Sequence, residues 1–304
     1  MHATWHFVAR SLERLSTARP GFAAAAWLLY VISLVIAGAR WRGFLRALGG
    51  EVSVLRATLA TLGGIAAGNL MPTPGGEACR IGLVRLGGRA TWRQATVAAV
   101  WDRLSELPPI LVLAGMAILA VRSLASGWRS PSIAVALGIA AALGIIGVAG
   151  VAVRRLRRSE TTRGGWRARL AQDRVSAGLF AAGVGYSSLL WLQDFLRLTC
   201  VTLAFDVILS PTKIATLCIL AMLGGVIPGV AGLGPVEGGL VDGLMAFGVD
   251  LPTAAAVTAL ERGISYGFST AGGGIVIALL GGRSMWSRAR APQAPDSDAD
   301  AARS

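Results

Sequence analysis

A chain of 304 residues with 54% apolar but only 15% charged side chains, and a mean hydropathy of +0.62, is too poor in charge for a soluble domain, where about 25% is usual. The formal charge of +13 does not mark a nucleic-acid partner, because every basic residue except Lys213 is Arg and most stand at the ends of apolar blocks, without the aromatic-studded basic face such binding needs. His2 and His6 stand alone near the N-terminus and Cys79, Cys200 and Cys218 lack CxxC spacing, which argues against a metal site or a His-dependent triad and leaves no cofactor expected.

In chain order, residues 1–20 set Trp5, Phe7, Leu12 and Leu15 against Arg10, Arg14 and Arg19. They are too polar to span and predict an interfacial amphipathic segment. The first transmembrane repeat, residues 21–130, starts with an apolar helix near 21–40, long enough to cross ~30 Å of hydrocarbon at ~1.5 Å per residue. Residues 53–87 follow, with "GNLMPTPGGEACR" in their middle: Asn69, Pro72, Pro74, Gly75 and Gly76, then Glu77 and Arg80. Proline removes a backbone donor and glycine admits unusual dihedrals, so this segment predicts a broken or re-entrant helix. Such backbone is tolerated at membrane depth only inside protein or along a watery cavity.

The helix predicted over 91–121 places Asp102 and Arg103 about 16 Å along its axis, where ionisable groups are costly unless paired or facing a cavity. Neighbours in sequence point about 100° apart on a helix, so these two do not pair with each other and their partners are expected from the broken elements. Glu106 precedes Pro108 and Pro109, which predict a kink. Residues 131–174 form a connecting helix, whose Gly144, Gly147 and Gly150 permit close helix approach, and an Arg-rich loop, 154–174, read as cytoplasmic.

The second transmembrane repeat, residues 175–284, begins with a helix over 175–208 carrying Asp194 and Arg197, a local i, i+3 ion pair first and site residues second. Residues 212–248 hold "GGVIPGVAGLGPVEGG", another break, with Pro228, Gly232, Gly234, Pro235 and Glu237. A helix over 251–281 carries Glu261 and Arg262. Residues 285–304, rich in Ala, Pro, Asp and Ser, predict a disordered tail.

The two acidic–Arg pairs recur at one separation, 261 − 102 = 159 and 262 − 103 = 159, and Glu237 follows Glu77 by 237 − 77 = 160. This is an internal repeat. Arg40, Arg42, Arg46, Arg56, Arg89 and Arg93 flank the first broken element and set it on the cytoplasmic side, while the second enters from outside. The fold expected is therefore an all-α, polytopic transmembrane bundle of two inverted repeats, each with a broken or re-entrant Pro/Gly element, in a bacterial inner membrane with the C-terminus cytoplasmic.

Glu77, Arg80, Asp102, Arg103, Glu237, Glu261 and Arg262 are the candidate site. Two readings stand side by side: a lipid-headgroup or ion pathway, and a buried ion-pair lattice that holds the halves in register. Glu77 and Arg80 fall in the first turns of a half-helix, whose N-terminal donors suit an anion, although Glu77 could simply cap it. The carboxylates could serve acid–base chemistry, but the chain has no Gly-x-Ser-x-Gly elbow and no phosphate-binding loop, so no enzyme is expected.

The stretches "ARWRGFLRALG", "GNLMPTPGGEACR" and "IPGVAGLGPVEGGL", with the Asp102-Arg103 and Glu261-Arg262 pairs, resemble the lysylphosphatidylglycerol synthase transmembrane region, also called the flippase-like or UPF0104 group, over residues 21–282. The resemblance implies a module that binds or moves an anionic phospholipid or polyprenyl-linked lipid, without the soluble aminoacyltransferase domain found in the synthases. Membrane lipid is thus the expected partner, with a cell-envelope or lipid-modifying enzyme as a possible second one. A non-transporting scaffold for such enzymes and an ion-coupled carrier of small solutes remain the alternatives.

Overall fold

In the computed structural model, residue 11 and residues 13–71, 75–86, 90–111, 175–226 and 234–289 are described. The expectations for 1–10, for the 131–154 helix and the Arg-rich loop, and for 290–304 lie outside them. The described residues form helices and their connections and contain no strand, so the chain is all-α there.

Helix α1, Pro20–Ala47, starts on a proline, which needs no N–H in the first turn. It runs 28 residues, past the predicted end at residue 40. Helix α2, Val54–Leu70, is capped by Ser53, whose hydroxyl accepts the Arg56 N–H. Helix α3, Gly75–Arg85, follows the proline turn. Helix α4, Trp92–Leu104, begins with a reciprocal cap between Thr91 and Gln94. The predicted continuation to 121 is interrupted by a turn at Ser105–Glu106 before helix resumes at 107–111. Pro108 and Pro109 have no N–H for the Leu104 and Ser105 carbonyls, so the α4 ladder ends there.

The second half repeats this order. Helix α5, Ala177–Leu203, is capped by Ser176. Helices α6, Pro211–Val226, and α7, Pro235–Ala246, correspond to α2 and α3. Helix α8, Leu251–Arg262, is capped by Asp250 and corresponds to α4. The starts differ by 177 − 20 = 157, 211 − 54 = 157, 235 − 75 = 160 and 251 − 92 = 159. The helix predicted over 251–281 is instead α8, a π-helical turn at Gly263–Gly267, and α9, Phe268–Ala289, which runs past the predicted start of the tail.

Helices α1 and α5 pack antiparallel. Arg40 meets Ser187, the Phe44 ring lies against Gly183, and Arg197 lies over Tyr30; the residue numbers in each pair add to 227. At one end of this contact the Arg19 N–H donates to the Ala204 carbonyl over 2.8 Å, and the Arg19 guanidinium pairs with Asp206 at 2.6 Å.

Each Pro/Gly element is a hairpin of two short helices. Gly64 lies against Gly76 and Arg80, and Gly63 against Leu83; in the second half Gly224 lies against Pro235 and Val236, and Gly243 against Leu217 and Leu220. The approach is too close for a side chain: a Cβ on Gly76 would sit 2.7 Å from the Gly64 carbonyl, and one on Gly224 2.8 Å from that of Pro235. At ~1.5 Å per residue none of these four helices reaches ~30 Å. By length and composition, Pro20–Ala47 and Leu251–Gly281 are sufficient to cross. One apolar core gathers Trp41, Phe44, Ile81 and Val84, and another gathers Leu198, Leu217, Leu240 and Val257 with Tyr30 and Leu34 of α1.

Candidate functional site

The candidate charges form two clusters. In the first, Asp102 is fully buried and accepts from Arg40 Nε at 2.7 Å and Arg80 Nη1 at 2.9 Å. Arg40 extends this to Glu106 at 2.5 Å and to the Ser187 hydroxyl of α5 at 2.7 Å. Arg103 lies further out, with its side chain 59% exposed, and binds Glu106 at 3.0 Å and Glu77 through Nε at 2.9 Å. Arg80 Nη1 lies 3.7 Å from Glu77, which closes the ring.

The second cluster repeats the plan with fewer members. Arg197 donates to Glu261 at 2.6 Å and to Asp194 at 2.9 Å. Arg262 donates to Glu237 at 2.6 Å. The other oxygen of Glu237 accepts the Gly234 N–H at 2.6 Å, so this carboxylate caps α7 itself. Gly234 stands at φ +112°, a conformation that glycine adopts without strain. The guanidinium of Arg262 lies over the Tyr266 ring at 4.7 Å, as Arg80 lies over Trp41 at 3.9 Å.

The structure thus joins Glu77, Arg80, Asp102 and Arg103 in one network and Glu237 with Arg262 in another. Glu261 takes its partner from α5, and two expectations are corrected. Arg197 is therefore a cluster member that bridges two helices, where an i, i+3 pair within one helix came first in the sequence reading. Arg40 is 4% exposed and belongs to the first cluster, because α1 continues two turns beyond it; it is no flanking topological charge. Asn69 lies off the clusters and bonds to Ser269 at 3.1 Å and Thr270 at 2.8 Å, tying α2 to α9. Gly75 and Gly76 open α3, and Gly234 and Pro235 open α7. Pro72, Pro74, Pro228 and Gly232 lie outside the described residues.

Sequence reasoning missed Arg40 and Ser187. The signal was present: 197 − 40 = 157 is the separation of α1 and α5, but it differs from the 159 of the acidic–Arg pairs and was masked by other arginines nearby.

Burying a charge is costly unless it is paired, and breaking one such pair costs more than the pair contributes. The clusters therefore hold helices from both halves together while keeping Arg103, Glu77 and Glu106 partly accessible. Among the described residues no group of three His, Cys, Asp or Glu side chains could hold a metal ion. A surface cavity of about 370 Å³ between Phe205, Ile208, Phe247 and Asp250 has none of the cluster residues in its lining.

Comparison with known proteins places these features in context. The sequence profile of a family described as "Lysylphosphatidylglycerol synthase TM region" matches residues 4–273. A protein described as "UPF0104 membrane protein" from Methanothermobacter thermautotrophicus is 27% identical over 302 residues, covering 88% of each chain. No solved structure matches significantly.

Proposed function

The chain belongs to the lysylphosphatidylglycerol synthase transmembrane-region family, and from that premise we propose that it is a flippase-type membrane protein. In this reading it binds an anionic phospholipid or polyprenyl-linked headgroup between two inverted repeats and passes it across the bilayer. The observation that carries the reading is the duplication of the ion clusters. Arg40–Asp102 corresponds to Arg197–Glu261, and Arg103–Glu77 to Arg262–Glu237.

Inverted repeats are supported by the antiparallel contact of α1 with its own counterpart α5. Re-entrant elements are supported by the two hairpins, whose helices are too short to span. Ionisable groups at membrane depth mark substrate or ion paths more often than structure, and half-helix N-termini at a midplane site suit an anionic group. The charges would bind and release the headgroup by exchanging partners within each ring, and no covalent step is assigned to them. Membrane placement follows from the family; a bacterial inner membrane with residues 154–174 and the C-terminus in the cytoplasm is part of this proposal.

Reconstitution tests it. Liposomes carrying the protein and a headgroup-labelled phosphatidylglycerol are expected to expose the inner-leaflet label to an external quencher faster than empty liposomes. Rates no faster than those of empty liposomes for phosphatidylglycerol, phosphatidylethanolamine and polyprenyl phosphate probes alike would remove the transport reading.

A further inference from the structure

The two halves are not equal at their broken helices. We propose that the first half alone holds a phosphate-anion site, built from Arg80 and Trp41 at the N-terminal end of α3. This rests on the headgroup-binding reading above and gives it one location and one chemistry.

Arg80 is 5% exposed and Trp41 is fully buried, yet Arg80 Nε, Arg80 Nη2 and Trp41 Nε1 make no hydrogen bond. They lie together, since the guanidinium stands 3.9 Å from the ring centroid of Trp41. By valence these atoms carry four N–H donors. Leaving buried donors unpaired is unfavourable for each one, more so on a charged group, and a buried site of this kind calls for an acceptor. Four donors on one planar fork and an indole edge match a tetrahedral oxyanion, and Arg in particular suits phosphate. The α3 N-terminus opens one turn away at Gly75 and Gly76, an end whose dipole favours an anion. Glu77 Oε2 also accepts no hydrogen bond, while its other oxygen is held by Arg103. An entering phosphate therefore competes with Glu77 only at Arg80 Nη1.

The second half lacks the Arg–Trp pair: its Arg197 lies over Tyr30, whose ring carries no indole N–H, and leaves only Nε unbonded. With the helix separations of 157 and 160, Trp41 corresponds to Leu198 and Arg80 to Leu240. Both leucines are buried in the apolar core. The α7 N-terminus is already occupied by its own Glu237 carboxylate. The duplicated carboxylate–Arg pairs are thus common to both halves, and the donor pocket belongs to one.

The first cluster, Arg80 included, is charge-balanced: Arg40, Arg80 and Arg103 face Asp102, Glu106 and Glu77. Such a setting favours a singly charged phosphodiester over a dianion. That chemistry is shared by a lipid headgroup and by free monobasic phosphate.

Purified full-length protein in neutral detergent, titrated with dioctanoyl phosphatidylglycerol, inorganic phosphate or dioctanoylglycerol, separates these sources and tests the site. Calorimetry is expected to give one phosphatidylglycerol per chain. Arg80→Leu, which copies Leu240, should weaken binding about 30-fold or more, and Trp41→Phe, which keeps the ring but removes one donor, about 5-fold. Lys213→Met, removing a charge elsewhere, should leave it unchanged. Competition by inorganic phosphate identifies a site open to the free anion, and binding of the lipid alone identifies a headgroup site; both support the pocket.

Two lipids per chain, equal binding of dioctanoylglycerol, or unchanged binding by a folded Arg80→Leu protein would overturn it. If that variant does not fold, Trp41→Phe decides alone. Arg80-dependent binding without translocation would reject the transport function and keep this site. Translocation undiminished in Arg80→Leu would do the reverse.

Discussion

Arg40 and Arg197 stand at the same place in two copies of one helix, and each reaches the acidic residue at the same place in two copies of another: Asp102 at 2.7 Å and Glu261 at 2.6 Å. Each guanidinium also holds a second carboxylate, Glu106 for Arg40 and Asp194 for Arg197. These pairs fasten α1 to α4 and α5 to α8, so they fix the helices that meet between the halves.

Replacing Arg197 by Leu leaves Glu261 buried without its cation and is expected to lower stability by ~3–5 kcal/mol, with Arg197→Leu/Glu261→Leu recovering much of the loss. Thermal unfolding in detergent measures both. A single-variant loss below ~1 kcal/mol would mean that the pair is not buried as described.

The glycines at the hairpin contacts give an independent check. Gly76→Ala and Gly224→Ala drive a methyl into facing backbone and should each cost ~1–3 kcal/mol. Gly82 has open space around its would-be Cβ, so Gly82→Ala should stabilise the same hairpin by ~0.4–1 kcal/mol. Similar unfolding temperatures for Gly76→Ala and Gly82→Ala would contradict the close packing of α2 on α3.

The exposed rim of the first cluster should behave as a coupled unit. A double-mutant cycle on Glu77→Gln and Arg103→Gln is expected to show an interaction energy of ~0.5–3 kcal/mol, read as unfolding free energy in detergent. Additive effects within ~0.3 kcal/mol would show that the Glu77–Arg103 contact is not formed in solution.

Asp250, which precedes the apolar span Leu251–Gly281, gives a pH signature. The hydrogen bond from Thr253 holds its carboxyl below the usual carboxylate range. A carboxyl lowered by folding adds stability that is complete above its unfolded value, near 3.9, and is lost as pH falls through the lower folded value. Asp250→Ala should therefore cost ~1 kcal/mol at neutral pH, the size of a helix cap, and progressively less as pH drops below ~4. A difference that stays constant from pH 7 to pH 3 would assign the effect to something other than the charged cap.

Much of this was legible in the sequence, and for identifiable reasons. Apolar blocks marked α1 and α9, and Pro and Gly marked both hairpins, because these residues limit the backbone wherever they occur. The acidic–Arg recurrence marked α4 and α8, and Asp102 and Arg103 each take a partner from the first broken element, Arg80 and Glu77. The roles of Arg40 and Ser187 were hidden because they depend on how α1 crosses α5, which no local pattern encodes. The π-helical turn at Gly263–Gly267 was hidden too, since its two glycines weaken a helix without marking where a wider turn will form. The difference between Trp41–Arg80 and Leu198–Leu240 needed the element-by-element register that only the folded chain supplies.

The antiparallel contact of α1 with α5 constrains how the protein is made. In the inverted-repeat arrangement proposed above, a helix that meets its own duplicate head to tail is inserted into the bilayer both ways up, although the two copies are built alike. Orientation during insertion follows the Lys and Arg content of the flanking segments, so the copies must differ there. They do: at the separation of 157, Arg42, Arg46 and Arg56 correspond to Thr199, Leu203 and Lys213. Three cations at one end of the first copy become one at the same end of the second, an imbalance that lets the insertion machinery tell the twins apart.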